Sequence, residues 1–486
     1  MAIRGLPLGG WSHRVLDEDA VAKIHAATLR VLERTGVAVP SASLRAALAR
    51  EGAVTDDASD RVRLPAALVE EAIRRAPRAY TLAARDPGND LPLDGTHGYL
   101  SVDGSAATIL DPETGRRRAS TAADLELVTR VGDALPEIGF LWQGVEAGDA
   151  PAAVRPLHEL RVQLSESTKH VQLMTAVTPL AAEGAVEMAA AVVGGSDALR
   201  ARPILSTFQV SLSPLAFDGE ALEAALVYAR AGVPAGFVVM SIACATAPAT
   251  PAGVIVQTNA EVLAGVTILE TLVPGAPTFY GICPTVMDLR TAGVACGGPE
   301  DALFQVALSQ LGHGYGLPTS IGTFAPGAKA SDWQAGVENA VSGMASLLGS
   351  ADMLSGAGLL HAAGVFSLEE LVLDAEVFGL IAHLARPLSV AAEAMAEDLI
   401  EAVGPHGDYL SEEHTVRHMR ELWMPRVFER GPWEDWEAAG RPGARERAAE
   451  RVRTILETHR AAPLPGGVAD ELDRIVAAYA ERAGVA

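Results

Sequence analysis

From about residue 121 onward, short apolar runs alternate with longer stretches whose apolar positions recur every three or four residues. The runs fall at 139–145, 170–176, 204–211, 236–243, 277–283, 318–325, 353–358 and 387–391, and they predict strands. The stretches at 122–134, 153–166, 180–193, 218–231, 252–272, 299–313, 334–349 and 367–385 predict helices. Strands alternating with helices imply parallel βαβ units, and eight of them point to a closed (β/α)8 TIM barrel. A doubly wound open sheet is the competing architecture, weakened because no GxGxxG or phosphate-binding loop follows the first strand. Ahead of the barrel, 17–35, 41–50 and 64–76 read as amphipathic helices, and Tyr99 to Arg118 as a β-hairpin turning at Asp103-Gly104. Beyond Glu393 the chain turns helical and polar, with Trp423, Trp433 and Trp436 close together in sequence. The expected division is 1–120 for the N-terminal helices and hairpin, 121–404 for an α/β barrel, and 405–486 for a helical C-terminal extension.

Composition narrows the partners. Apolar residues make up 49% of the 486 and aromatics 5%, so the core is mostly Ala, Val and Leu. A net charge of -23 argues against nucleic acid and anionic membrane surfaces, both of which select a concentrated basic face. The amino terminus has no apolar stretch of signal-peptide length. The long apolar run from Gly253 to Val273 carries Gln257, Asn259, Glu261 and Glu270, which argues against a membrane span; the two glutamates are expected to be solvated or paired across subunits. Cys244, Cys283 and Cys296 form no CxxC, which suits a reducing cytoplasm.

In such a barrel the chemistry lies just past the carboxyl ends of the strands. Those positions hold Gln143, Glu146, Met174, Thr175, Gln209, Ser211, Ser241, Cys244, Tyr280, Cys283, Thr323, Phe324 and Ser355. The set has few acids, no catalytic triad and no HExxH, so it suits a soft organic cation better than a phosphorylated sugar. The most informative stretch is 322–339, where a strand opens into a glycine-containing loop carrying Lys329, Asp332 and Trp333 and then enters a helix. Phe324 and Trp333 offer aromatic faces, each worth roughly 0.5–2 kcal/mol to a desolvated ammonium. Asp332 reads as the helix N-cap with Gln334 in the first turn, a role compatible with touching substrate.

Cys244 and Cys283 end neighbouring strands, and His313 or His361 could complete a zinc set for a metal-dependent lyase or hydrolase; the competing reading is small buried core thiols. His170, at the start of a strand, reads as structural, and His313 as a helix C-terminal cap. His361 stays open between a structural and a functional role. Cys296, in a glycine-rich loop, has no assigned chemistry.

Several stretches share a further likeness. They are Leu110-Asp111-Pro112-Glu113-Thr114-Gly115-Arg116 leading into Thr121-Ala122-Ala123-Asp124, Ala245 to Gly253, Asn259 to Gly265, Asp288 to Thr291, Asp332 to Glu338, Ser367 to Asp374 and His414 to His418. With them the chain resembles the trimethylamine methyltransferase family, a methanogenesis-related family of corrinoid-dependent methyltransferases, and within it the members lacking pyrrolysine, some of them glycine betaine methyltransferases. The pyrrolysine-equivalent position falls between Lys329 and Asp332. The resemblance implies a (β/α)8 barrel that moves a methyl group from a methylated amine to Co(I) of a corrinoid (cobalamin) on a separate protein. No DxHxxG signature is present, since Asp94-Gly95-Thr96-His97 has the wrong spacing, so no corrinoid is expected to bind this chain tightly.

A quaternary ammonium departs as a neutral amine and needs no general acid, which makes glycine betaine or a related betaine the expected substrate. The barrel must then desolvate the cation and aim one methyl group. The candidate substrate-binding residues are Phe324, Trp333, Gln334, Asp332, Lys329, Tyr280, Gln209, Ser355 and His361, with no catalytic residue assigned. A betaine carboxylate would take a backbone N–H, His361 or Lys329. The expected partners are the quaternary amine, the corrinoid protein and further copies of the chain in a homo-oligomer. A non-catalytic quaternary-amine binder is the third reading.

Overall fold

The computed structural model describes residues 2–56 and 58–485. Among them, eight parallel strands close on themselves: β1 (His97–Val102), β2 (Ile138–Leu141), β3 (His170–Leu173), β4 (Leu205–Val210), β5 (Ala235–Val239), β6 (Tyr280–Ile282), β7 (Thr319–Gly322) and β8 (Met353–Ala357). Closure comes from β8 against β1, in the register Met353 to Tyr99 and Ser355 to Ser101. Each strand is followed by a helix on the outside: α1 (Ala122–Ala134), α2 (Arg155–Glu166), α3 (Pro179–Val193), α4 (Gly219–Arg230), α5 (Pro251–Leu272), α6 (Pro299–Gly314), α7 (Trp333–Leu348) and α8 (Leu368–Leu384). Every residue of β2, β3, β5 and β8 is buried; β2 and β5 read as unbroken apolar runs, while β3 and β8 bury His170, Gln172 and Ser355 as well.

The predicted helices match within about two residues because their first turns carry a side-chain cap or a proline. Thr121 and Asp124 form a capping box at α1, and the Thr178 and Asp218 side chains accept from the first turns of α3 and α4. Asp332 caps α7, accepting from the N–H groups of Gln334 at 2.9 Å and Ala335 at 3.4 Å.

Three expectations need correction. Residues 387–391 form no strand, and Leu388 there is 89% exposed. The eighth place in the barrel belongs to 97–102, so the barrel begins at His97 and the boundary at 121 falls after its first strand. Asp103-Gly104 is no hairpin turn. It is the exit from β1, with Gly104 at φ +148°, where a Cβ would lie 2.0 Å from the Gly144 carbonyl oxygen. The hairpin comes next, pairing Thr108–Leu110 with Arg117–Ala119.

Inside the barrel, Tyr99, Phe140, Phe208, Val238 and Met353 pack with Trp142 and with the hairpin strands Tyr80–Leu82 and Leu91–Leu93. A polar thread crosses this interior: Trp142 Nε1 donates to Gln172 Oε1 at 2.7 Å, and Gln172 Nε2 donates to Ser206 Oγ at 3.1 Å. His170 Nδ1 donates to Ala83 O and Nε2 accepts from Ser206 Oγ, both at 2.7 Å, and burial lowers its pKa to about 4, as a structural histidine requires.

Helix α5 is long and apolar enough to cross a membrane by composition, but it is a core helix, packed between the barrel and the N-terminal helices Glu18–Arg34 and Ala66–Arg75. Its two glutamates are buried rather than solvated. Glu261 accepts from Ser211 Oγ and Ser213 Oγ at 2.6 Å and from Leu215 N and Gln257 Nε2 at 3.0 Å. Glu270 accepts from Gly275 N at 2.8 Å, and burial raises it to about 7.

Candidate functional site

A cavity of ≈ 200 Å³ opens at the carboxyl ends of the strands, where a barrel of this type places its chemistry. That volume is below the roughly 300–1,000 Å³ of sites for drug-sized molecules, so the ligand is small. Its apolar walls are Trp142 beyond β2, Met174 beyond β3, Phe208 in β4, Val238 in β5, Met240 beyond it and Phe324 beyond β7. The Trp142 and Phe208 rings meet at a 44° tilt with 4.6 Å between centroids. Phe324 is held at φ +49°, a conformation bulky residues rarely adopt, with its N–H donating to Ser342 Oγ at 3.2 Å. Gly356 allows the close approach beneath it: at φ +136°, a Cβ there would lie 1.4 Å from the Thr323 carbonyl oxygen.

Two carboxyl groups enter this greasy space. Asp103, at the exit of β1, accepts from Gly104 N at 2.5 Å. Burial raises it to about 7, against the Gly104 N–H and the Ser355 hydroxyl, which pull it down. Asp301, in the first turn of α6, accepts from Gly297 N at 2.9 Å through Oδ2, and burial likewise raises it to about 7. Removing a carboxylate from water disfavours its charge, and a nearby cation restores it. Two acids poised near neutrality in an aromatic cavity are therefore suited to a cationic guest.

The thiols are a different matter. Burial raises Cys283 far above its ordinary value, with Asp103 adding to the effect, and raises Cys296 to about 11. Both line the cavity as protonated, weakly polar surface rather than as nucleophiles. Cys244 is exposed, and His313 lies at the opposite end of the barrel, where its Nε2 meets Asp352 Oδ2 at 3.0 Å. The cysteine–histidine set considered for zinc is thus not brought together, and among the described residues no cluster of three or more His, Cys, Asp or Glu could hold a metal.

Of the nine predicted substrate contacts, Phe324 and Ser355 line the cavity. Tyr280 faces outward, its hydroxyl donating to Asn259 Oδ1 of α5 at 2.8 Å. Gln209 alternates with the inward-facing Phe208 and Val210 and so also points away. Trp333 is 86% exposed at the start of α7, with Asp332 and Gln334 beside it on the surface. Lys329 is exposed and donates to Gly327 O at 2.6 Å. His361 is exposed, its backbone N–H bound to Ala328 O at 2.7 Å, while its neighbours Ala362 and Ala363 line the cavity. Sequence reasoning missed Asp103, read as a turn, and Asp301, which sits in a helix first turn where acids are common.

Comparison with known proteins fits this geometry. The family model described as Trimethylamine methyltransferase (MTTB) matches residues 10–484. The trimethylamine methyltransferase MttB of Desulfitobacterium hafniense is 33% identical over 491 residues, spanning 100% of this chain and 96% of that protein. A glycine betaine methyltransferase from another strain of that species is 32% identical, spanning 97% of each. The crystal structure of the Methanosarcina barkeri monomethylamine methyltransferase (MtmB) superposes with a TM-score of 0.52 over 93% of this chain and 90% of that one, at 14% identity. That last likeness speaks to the fold.

Proposed function

This chain belongs to the trimethylamine methyltransferase family and is a methyltransferase; on that footing we propose that it takes a methyl group from a quaternary amine and passes it to Co(I) of a corrinoid on a separate protein. The observation that carries the reading is the cavity itself: aromatic walls, two buried acids near neutrality, and an opening framed by small residues.

The chain's own part is binding and aim. Trp142, Phe208 and Phe324 present ring faces to the cation, and ionised Asp103 and Asp301 offset its charge. The donor's C–N bond breaks with its electron pair left on nitrogen, so a neutral amine departs and no protein acid is consumed. The corrinoid supplies the nucleophilic electron pair. What the barrel contributes is exclusion of water and alignment of one methyl group toward the mouth. Gly297, Gly298, Ala362 and Ala363 give the cavity lining small residues, and the exposed side chains of Val210 and Met240 in that lining, with exposed Leu212 and Leu289 in loops beyond β4 and β6, offer apolar surface fit for a docked protein. Free cysteines suit a reducing cytoplasm. The exposed apolar side chains between Leu388 and Trp433 suit burial against a second copy, in keeping with a homo-oligomer.

The test is direct. Purified protein, a quaternary amine and a reduced corrinoid protein should change the corrinoid's visible spectrum as the methyl group arrives. Binding of the amine without that change, across a panel of corrinoid proteins, would leave a non-catalytic binder in its place.

A further inference from the structure

We propose that the methyl donor is an ammonium ion that bears a hydrogen-bond donor and no acid group, that is, an N-methylated amino alcohol of the choline type rather than a betaine. This rests on the methyltransferase reading above and narrows its substrate.

The first observation is charge. Among the described residues, none of those lining the cavity is Lys, Arg or His, while Asp103 and Asp301 both are there. A betaine held in this space would bring its carboxylate toward two acids with no cation to receive it. The nearby hydroxyls are already engaged: Ser342 donates to Asn339 O at 3.2 Å, while Thr285 and Ser355 lie between backbone acceptors, Ala295 O and Ile321 O at 3.3 Å, and the Asp301 and Asp103 carboxyls.

The second observation is independent of charge. Among the described residues, three oxygens on cavity-lining residues have no hydrogen-bond donor: Asp301 Oδ1, Gln305 Oε1 and Asn339 Oδ1. Their residues are only 7%, 4% and 1% exposed, and buried acceptors are ordinarily satisfied. The amide orientations are fixed by the other ends. Gln305 Nε2 donates to Gly322 O at 2.6 Å, and Asn339 Nδ2 donates to Glu370 Oε1 at 3.0 Å and Asp374 Oδ1 at 2.7 Å. Turning the Asn339 amide would set its oxygen against two carboxyl groups. Asp301 and Gln305 stand four residues apart, on one face of α6, and Asn339 comes from the neighbouring α7. These acceptors, enclosed beside the cavity, are complementary to a donor, and a hydroxyl supplies one while the N-methyl groups face the aromatic side. A betaine supplies only more acceptors.

Calorimetry on the full chain at pH 8 tests this with choline, tetramethylammonium and glycine betaine. Choline is expected to bind at least tenfold tighter than glycine betaine and more tightly than tetramethylammonium. In Gln305→Met, choline should lose its advantage over tetramethylammonium while tetramethylammonium binding holds. The wild-type ratios carry the same information should that variant fail to fold. Glycine betaine binding as tightly as choline, or no binding by any of the three, would overturn the assignment. Assays of methyl transfer separate the two readings. Transfer from betaine in preference to choline sinks the substrate assignment and leaves the methyltransferase reading intact, whereas tight choline binding with no transfer to any corrinoid protein does the reverse.

Discussion

Asp103→Asn isolates the electrostatic part of the site. Asparagine keeps the Oδ1 that accepts from Gly104 N and removes only the charge. Burial lifts Asp103 from 3.8 to about 7, so ionising it in the unliganded cavity costs about 4 kcal/mol relative to water. An ammonium ~4–5 Å away returns about 3–4 kcal/mol at an effective dielectric of ~20. At pH 7 and above the ionisation cost has already been met by the solution pH, so the attraction is realised almost in full. The net contribution of the charge at pH 8 is therefore about 3–4 kcal/mol, or a ~150–900-fold weaker affinity in the variant. At pH 5.5 ionising Asp103 on binding costs about 2 kcal/mol, so its advantage over the variant shrinks to about 1–2 kcal/mol. Wild-type affinity should thus fall as the pH drops through 7, and the variant should show a shallower fall, set by Asp301 alone. Calorimetric titration with tetramethylammonium between pH 5.5 and 8.5 measures this. A variant that binds like wild type at pH 8, or a wild-type affinity flat across the range, would refute the placement of the cation beside Asp103.

The remaining predictions concern packing and pH. Gly356→Ala should cost more than ~2 kcal/mol, because the left-handed backbone strain adds to a Cβ placed 1.4 Å from the Thr323 carbonyl; an unchanged urea midpoint would count against the observed turn. Trp333→Ala should alter stability by less than ~0.5 kcal/mol, since the ring is 86% exposed, and should leave cation affinity in place; a tenfold loss of binding would return Trp333 to the site. Stability should fall as pH rises. Glu159, Glu270 and Asp301 are each raised by burial to about 7, so the folded state holds their protons more tightly than the unfolded chain. Their contribution is present in full below the ordinary carboxylate range and is lost through pH 7, at most roughly 3–4 kcal/mol each. Urea midpoints that climb between pH 5 and 8 would contradict this.

The barrel was legible because its strands are buried on both faces and its helices carry caps, so both periodicities survive in the sequence. The one strand misplaced shows where that signal stops. Tyr99-Leu-Ser-Val is a strand wherever it sits, and a following Asp-Gly is the strongest local cue for a hairpin. Only the long-range pairing with Met353 and Ser355 reveals that it closes the barrel. The site failed for a related reason. Strand ends were recognised, but parity was not: Gln209 and Tyr280 are one residue out of register with Phe208 and Gly281, and a shift of one turns a side chain from the cavity to the helices. The acids were hidden because Asp103 had a sufficient local explanation as a turn residue and Asp301 as a first-turn residue. Neither explanation says anything about burial. Burial is what converts an ordinary aspartate into a group that can ionise in response to a guest, and it depends on the neighbours that β7, β8 and α7 bring from more than 200 residues beyond Asp103. A cation site made this way leaves little trace in local sequence, since each of its parts is an unremarkable residue until the barrel closes around it.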